Sequence, residues 1–392
     1  MTIAGNRHMK NLLLSTIMAS IALAAPAQQQ PIVRPDGRSI TIPGIDSIIS
    51  VLMQRQKVTG LCLGVVQNGQ IAYVQAYGYK NKPLNQLNDT ATCFYGASLS
   101  KAVFAYLVMQ LADRGLIDLD KPLYTYLPKP LPEYDKYKDL AGDERWKLIT
   151  ARHCLDHSTG FPNWRMFNPV HSNKLEFFFT PGQRYAYSGE GLYLLQLVVE
   201  TITGKPLDLL AQEQIFSPFG MRRTSYLWQP AFETDYAVGH LVNEDTIPKN
   251  KRTKANAAGS METTIADYTR FLAAVLRGEG LSVKSRQEML TPQIAIFSRR
   301  QFPSLDTATT TENQKIRLSY GLGWGLFVSP AGKVFFKEGH DDGWEHFAMC
   351  LSEKKAAFVI MTNSSNGEGI FTGLFEKLAG IRIPWEWEGY AP

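Results

Sequence analysis

Phe94-Tyr95-Gly96-Ala97-Ser98-Leu99-Ser100-Lys101 is the stretch whose reading governs the rest. It opens the first long helical pattern, with apolar residues recurring at three and four spacing over 101–114 until Gly115 ends it. Ser98 therefore falls at a helix N-terminus, and Lys101 follows one turn on, on the same face. Exposed amides and the positive end of the helix favour a developing oxyanion at that position. An amine beside apolar Ala102, Val103 and Phe104 is expected to have a lowered pKa and to help take the serine proton. The competing reading is an N-cap serine beside a solvated lysine. A second copy of the pattern, Ser352-Glu353-Lys354-Lys355, lies in a polar stretch between two strand patterns and reads as a hairpin turn, so the spacing alone decides nothing.

Outward from this helix the chain divides into two kinds of pattern. Strand-like runs cluster near the ends, at 61–67, 71–77, 318–328, 333–337, 345–351 and 357–362, punctuated by Gly, Asn, Asp and Ser. The first two flank Asn68-Gly69, the turn signal of a type I′ hairpin. Between them helical periodicity dominates, at 101–114, 192–203 and 265–277. These patterns predict an α+β fold with three α/β/α-like layers: an antiparallel sheet assembled from both chain ends, flanked by helices, with a mostly helical region inserted. A cleft at the junction is the expected site.

The N-terminus reads as a secretory leader. Arg7, His8 and Lys10 precede an apolar run over 12–25, and Ala25-Pro26-Ala27 offers a small-x-small cleavage site. The run is shorter than the ~20 residues that span a bilayer. The expected organisation is a signal peptide at 1–27, a lead at 28–44 and one catalytic domain at 45–392. Its sheet part covers about 45–92 and 315–392, and its helical part about 93–314. Periplasmic or secreted localisation is the consequence, with no lasting membrane anchor. The formal net charge of +5 loses two with Arg7 and Lys10, leaving +3, too mild for a nucleic-acid partner. Composition, 44% hydrophobic and 20% charged, is that of a globular protein. Cys62, Cys93, Cys154 and Cys350 allow three full pairings, and Cys62 and Cys350 lie in apolar runs that one sheet could bring together; buried free thiols are the alternative.

Ordered along the chain, the motifs resemble the serine β-lactamase and penicillin-binding-protein superfamily, in its class C β-lactamase-related branch. The stretch 94–101 is similar to its nucleophile motif, and Gly115-Leu116-Ile117-Asp118-Leu119-Asp120 to the segment C-terminal to that motif. Ile149 to Gly160 resembles the family's helix and His-x-Ser-Gly type turn, and Pro181-Gly182-Gln183-Arg184-Tyr185-Ala186-Tyr187-Ser188 the second catalytic motif. Ser217-Pro218-Phe219-Gly220-Met221, Gly321-Leu322-Gly323-Trp324 and Gly339-His340 continue the match over roughly 45–380. The resemblance implies a β-lactamase/transpeptidase-like fold, attack by Ser98 on a carbonyl, and proton relay by Lys101 and Tyr187. It further implies an oxyanion hole from the amides of Ser98 and Gly343, and an electrostatic role for His340 facing the substrate.

Two departures bear on substrate. Tyr187-Ser188-Gly189 stands where β-lactamases of this branch have Tyr-x-Asn, so the substrate-holding amide is missing at Gly189. His340-Asp341-Asp342 is aligned with their Lys-Thr-Gly, so Asp341 and Asp342 would face substrate and weaken attraction to a carboxylate. The expectation is an exported hydrolase of a small ester, amide or peptide, using no cofactor and no metal. A true β-lactamase or D-alanyl-D-alanine carboxypeptidase ranks below, and a non-catalytic scaffold binding cell-wall peptide is the reading from another class. His153 and His157 have the spacing of a zinc pair, but no Glu follows His153. No G-x-S-x-G elbow surrounds Ser98.

Overall fold

The computed structural model describes residues 1–2 and 30–388, so the leader expected at 1–27 lies, its first two residues apart, outside the described residues. In chain order the elements that matter are α1 (Ile42–Gln56), β1 (Gly60–Gln67), β2 (Gln70–Asn81), β3 (Gln86–Leu87), β4 (Phe94–Tyr95) and α2 (Leu99–Asp113). Next come α3 (Ala151–Leu155), α4 (Gly189–Thr203), β5 (Glu262–Thr263), α5 (Ile265–Arg277), β6 (Ile294–Ala295) and β7 (Ser319–Tyr320). The chain closes with β8 (Gly325–Ser329), β9 (Gly332–Asp341), β10 (Trp344–Leu351), β11 (Ala356–Thr362) and α6 (Glu368–Ala379).

Nine strands make one antiparallel sheet in the order β6-β7-β8-β9-β10-β11-β1-β2-β3. The seam that joins the chain ends is β11 on β1, with Thr362 opposite Leu61 and Ala357 opposite Val66. Asn68 and Gly69 both have positive φ, 52° and 74°, as a type I′ turn between β1 and β2 requires. The Ser352–Lys355 copy is the turn between β10 and β11.

Both sheet faces are covered, which makes the strands apolar on both sides. Over one face α2 and α5 bury Phe104, Leu107, Phe271 and Leu272 with Trp324 and Val359. Over the other, α1 and α6 bury Ile45, Ile49, Phe371 and Phe375 against Phe347 and Ile360. Helix α2 lies between the sheet and the helical region, and every residue from Leu99 to Leu111 is buried; a helix apolar all round is an interior helix.

Three details depart from the sequence reading. The strand expected at 318–328 is two short strands, β7 and β8, parted by Gly321-Leu322-Gly323. The strand expected at 333–337 continues to Asp341. Helix α1 starts inside the expected lead, because Thr41 caps it by accepting from the Gly44 amide and Pro43 sits in its first turn, where a missing N–H costs nothing. All four cysteines are buried and free. Cys62 on β1 and Cys350 on β10 share the sheet, but β11 runs between them.

His346 on β10 ties the sheet to the nucleophile segment. Its Nε2 lies 2.7 Å from the Tyr95 carbonyl, and its Nδ1 accepts from the Thr362 amide at 3.3 Å, which fixes a neutral ring protonated on Nε2. Burial lowers its pKa from 6.5 to about 4. A group depressed in the fold leaves the native state short of a proton that the unfolded chain binds, so its contribution is full above pH 6.5 and is lost as pH falls towards 4. The size is about 3 kcal/mol at most. We expect the stability advantage of wild type over His346→Gln to shrink by that order between pH 7.5 and 4.5 in urea unfolding. A constant difference across the range would mean that His346 is not held neutral.

Candidate active site

Ser98 caps α2 and is reached through Ala97, which holds φ +44°. A non-glycine residue there is strained, and such strain marks sites where the fold dictates a side-chain direction. The turn is braced by the Leu99 amide on the Gly96 carbonyl at 3.0 Å and by the Gly96 amide on the Met261 carbonyl at 2.8 Å. Ser98 is half-buried and opens into a cleft of about 520 Å³ lined also by Tyr95, Trp164, Tyr187, Asn256 and Arg252.

Lys101 donates from Nζ to Ser98 Oγ at 2.8 Å and to the Ala258 carbonyl at 2.6 Å. Its amine is 4.9 Å from the centre of the Tyr187 ring and 5.6 Å from that of Trp164. Burial, and next the charge of Lys337, hold its pKa well below the ordinary lysine value. Tyr187 immediately precedes Ser188, which caps α4 by accepting from the Gly191 amide. The phenol is buried, and the His157 ring lies 4.2 Å from its own, centre to centre. Ser98, Lys101 and Tyr187, drawn from two helix starts, therefore meet at one place.

The phenol oxygen of Tyr187 accepts a hydrogen bond from Lys337 Nζ at 3.0 Å. Lys337 is a fully buried lysine on β9 that the sequence reading passed over. Its Nζ donates as well to Glu338 Oε2 at 2.5 Å, and burial lowers its pKa. The missed signal was the spacing Lys337-Glu338-Gly339, a Lys-x-Gly that begins three residues before His340. Gly339 is also where β9 meets the nucleophile turn: a Cβ there would stand 3.0 Å from the Gly96 carbonyl and 3.3 Å from the Leu99 side chain.

The expected oxyanion role of Gly343 does not fit this geometry, and His340, though it lines the cleft, is held by two carboxylates. Side chains alternate along β9, so His340 lies on the face opposite Lys337 and Gly339. Its Nδ1 is 2.7 Å from Glu345 Oε2 and 2.9 Å from Glu368 Oε1. Gly343 sits in the two-residue turn between β9 and β10, and its amide donates to Ser365 Oγ at 2.8 Å. That donor is spent on the loop before α6. The ladder orients a different amide: Asp341 pairs with Trp344 and Gly339 with His346, and alternation turns the His340 N–H to the opposite edge, beyond the end of β8 at Gly325.

Asp341 and Asp342 line the cleft, with the Asp342 amide on Asp341 Oδ1 at 3.0 Å. Gly189 begins α4, and Trp164 fills the space beside it: a Cβ at 189 would lie 2.2 Å from the indole. The amide absent at this position is thus replaced by an aromatic wall. His153 and His157 are not a pair poised for zinc. The Nδ1 of each accepts from a backbone amide, Thr150 at 3.3 Å and Ser188 at 3.1 Å.

A sequence model of the family described as Beta-lactamase matches residues 45–379. Among curated proteins, the chain is 24% identical over 374 residues to the D-alanyl-D-alanine-carboxypeptidase/endopeptidase AmpH of Escherichia coli K12, covering 91% of this chain and 92% of that protein. It is 25% identical over 209 residues to Esterase EstB of Burkholderia gladioli, covering 47% of this chain and 51% of that one. Among solved structures, a penicillin-binding protein homologue from Pyrococcus abyssi superposes with a TM-score of 0.69 at 19% identity, over 86% of this chain and 77% of that one. A Beta-Lactamase/D-Alanine Carboxypeptidase from Pseudomonas syringae gives 0.68 at 16% identity, over 85% and 97%.

The contact at Gly189 makes a sharp expectation. Gly189→Asn should cost about 1–3 kcal/mol through overpacking against Trp164. A cycle with Trp164→Ala should show strong non-additivity, since the truncated side chain frees the space. Full stability of Gly189→Asn in thermal unfolding would mean that the indole swings aside at no cost.

Proposed function

This chain belongs to the Beta-lactamase family, whose members are serine hydrolases, and we propose that it cleaves an ester or amide through an acyl-enzyme on Ser98. The observation that carries the reading is the 2.8 Å contact of a buried amine, Lys101 Nζ, with the nucleophile Ser98 Oγ. A neutral Lys101 takes the Ser98 proton as Oγ bonds to the substrate carbonyl carbon. The carbonyl electrons move to oxygen, and the oxyanion is held by the amides of Ser98 and His340 at the mouth of α2. Collapse expels the alkoxide or amine, which takes a proton relayed through Lys101 and Tyr187. Water then attacks the acyl-enzyme, and the relay runs in reverse. Lys337 donates to the Tyr187 oxygen and favours a phenolate when the phenol gives up its proton.

The substrate class favoured is a small ester or a peptide. The carboxypeptidase/endopeptidase activity of the relative AmpH supports a peptide, while Asp341 and Asp342 in the cleft still weaken attraction to a terminal carboxylate. Gly189 under Trp164 still argues against efficient β-lactam turnover. Export is part of the proposal. The leader pattern supports it, and among the described residues no helix is long and apolar enough to cross a membrane.

Incubation with a fluorophosphonate should label Ser98, as read by peptide mass spectrometry, and Ser98→Ala should abolish hydrolysis of p-nitrophenyl butyrate. An unlabelled Ser98 with turnover intact defeats the reading. Nitrocefin turnover near the diffusion limit would show that the wall at Gly189 does not exclude β-lactams.

The amine sets a pH dependence. The rate should fall as pH drops through the Lys101 pKa, because a protonated amine cannot accept from Ser98. Lys337→Met removes the neighbouring charge that depresses this pKa, so the acid limb of kcat/KM should move to higher pH. The plateau should drop roughly 10²- to 10⁴-fold. An unmoved limb with an unchanged plateau would remove Lys337 from the machinery.

A further inference from the structure

On the sheet face opposite Lys337, three side chains from three elements converge without any part in the relay. They are His340 at the end of β9, Glu345 at the start of β10 and Glu368 at the first position of α6. His340 Nδ1 and one carboxylate oxygen from each glutamate all lie within 4.8 Å of one another. Both glutamates are almost fully buried, with side-chain exposures of 4% and 6%. We propose that His340, Glu345 and Glu368 form a binding site for one divalent transition-metal ion, of the Zn²⁺ or Mn²⁺ type, beside the catalytic cleft.

Three observations carry the assignment. The first is spacing. In the tetrahedron that Zn²⁺ favours, ligand atoms about 2.1 Å from the metal are about 3.4 Å apart, and mutually cis in an octahedron of the Mn²⁺ type they are about 3.0 Å apart. The two measured separations, 2.7 Å and 2.9 Å, lie within a few tenths of the octahedral spacing. The second is valence. One proton on Nδ1 faces two acceptors, and the Glu345–Glu368 contact needs a second proton, which burial and the neighbouring Glu368 keep on Glu345 by raising its pKa to about 10. A cation satisfies all three at once. The third is charge. Although burial opposes it, hydrogen bonds to Glu345 and Glu368 hold the His340 pKa up at about 10, so a metal must displace that proton; the imidazole and two carboxylates it leaves carry two negative charges, which a divalent ion cancels.

The surroundings deepen the charge argument. Glu338 and Glu388 are buried close by, the latter fully, with Glu388 Oε1 lacking a hydrogen-bond partner and burial, then the charges of Glu338 and Glu368, raising the Glu388 pKa well above the usual carboxylate value. The backbone is shaped to the same end. Gly367, just before Glu368, lets α6 approach β10 closely: a Cβ there would meet Thr362 Oγ1 at 2.2 Å and the Glu345 Cβ at 3.0 Å. His340 lines the cleft and its side chain is 34% exposed, which leaves the ion an approach from solvent.

The test is calorimetric titration of chelator-treated protein with ZnCl₂ at pH 7, with Mn²⁺ bound to the protein read by electron paramagnetic resonance as a second arm. One equivalent should bind at micromolar or lower Kd and raise the thermal midpoint. Glu345→Gln and Glu368→Gln, close in shape to wild type and checked for folding by circular dichroism, should each weaken binding at least ~10-fold. Absence of saturable binding to wild type overturns the site, and so does equal affinity in the Glu345→Gln/Glu368→Gln double variant. Neither readout depends on hydrolysis, so the proposal stands or falls apart from the acyl-enzyme reading.

Discussion

The structure turns on keeping a lysine amine in the interior beside a serine hydroxyl. An unpaired ammonium in that position would be costly, and Lys101 avoids the cost by giving up charge while its amine donates to Ser98 Oγ and the Ala258 carbonyl. That arrangement demands a helix whose whole first turn is buried. Leu99 to Leu111 of α2 are accordingly buried on every side. The sheet on one side of α2 and the helical region on the other exist, in effect, to keep water away from one amine.

The same demand explains the topology. Helix α2 is covered by elements that lie both before and after it in sequence. Strands β1 and β2 precede α2, and β8 to β11 return from the far end of the chain to close the sheet along the β11–β1 seam. Non-local pairing of this kind has a high loop-closure cost, and burial of apolar side chains on both faces offsets it.

Much of this was legible in the sequence because period 2 and period 3.6 separate cleanly where one face is buried. The hairpin at Asn68-Gly69, helix α5 at 265–277 and the turn status of Ser352–Lys355 come from local chemistry. Helix α1 was hidden because Pro43 and Gly44 look like loop residues until Thr41 is seen to cap them. The split of 318–328 into β7 and β8 was hidden because an apolar run reads the same whether straight or kinked. At the site, Ser98 and Lys101 were legible because they open a helix, while Tyr187 came from the resemblance of 181–188 to the family's second catalytic motif. Trp164 carried no spacing to any of them, and only the folded chain lays its ring over Gly189.

Lys337 is the most instructive omission, since its Lys-x-Gly signature is complete. Anchoring the motif on His340 shifted it by three residues, and an odd shift exchanges the two faces of a strand. The consequence is a division of labour along the last turn of β9. Lys337 and Gly339 serve the face that meets α2, where one donates to Tyr187 and the other lets β9 touch the Gly96 carbonyl. Glu338 and His340 serve the face that meets α6, where the carboxylates of Glu345 and Glu368 gather. One strand end thus joins the nucleophile site to an acidic site, through its backbone and through the Lys337–Glu338 ion pair. A charge placed in either is separated from the other by no more than the thickness of a sheet, and an ion held by His340 would act on the cleft through the same residue whose amide faces the nucleophile.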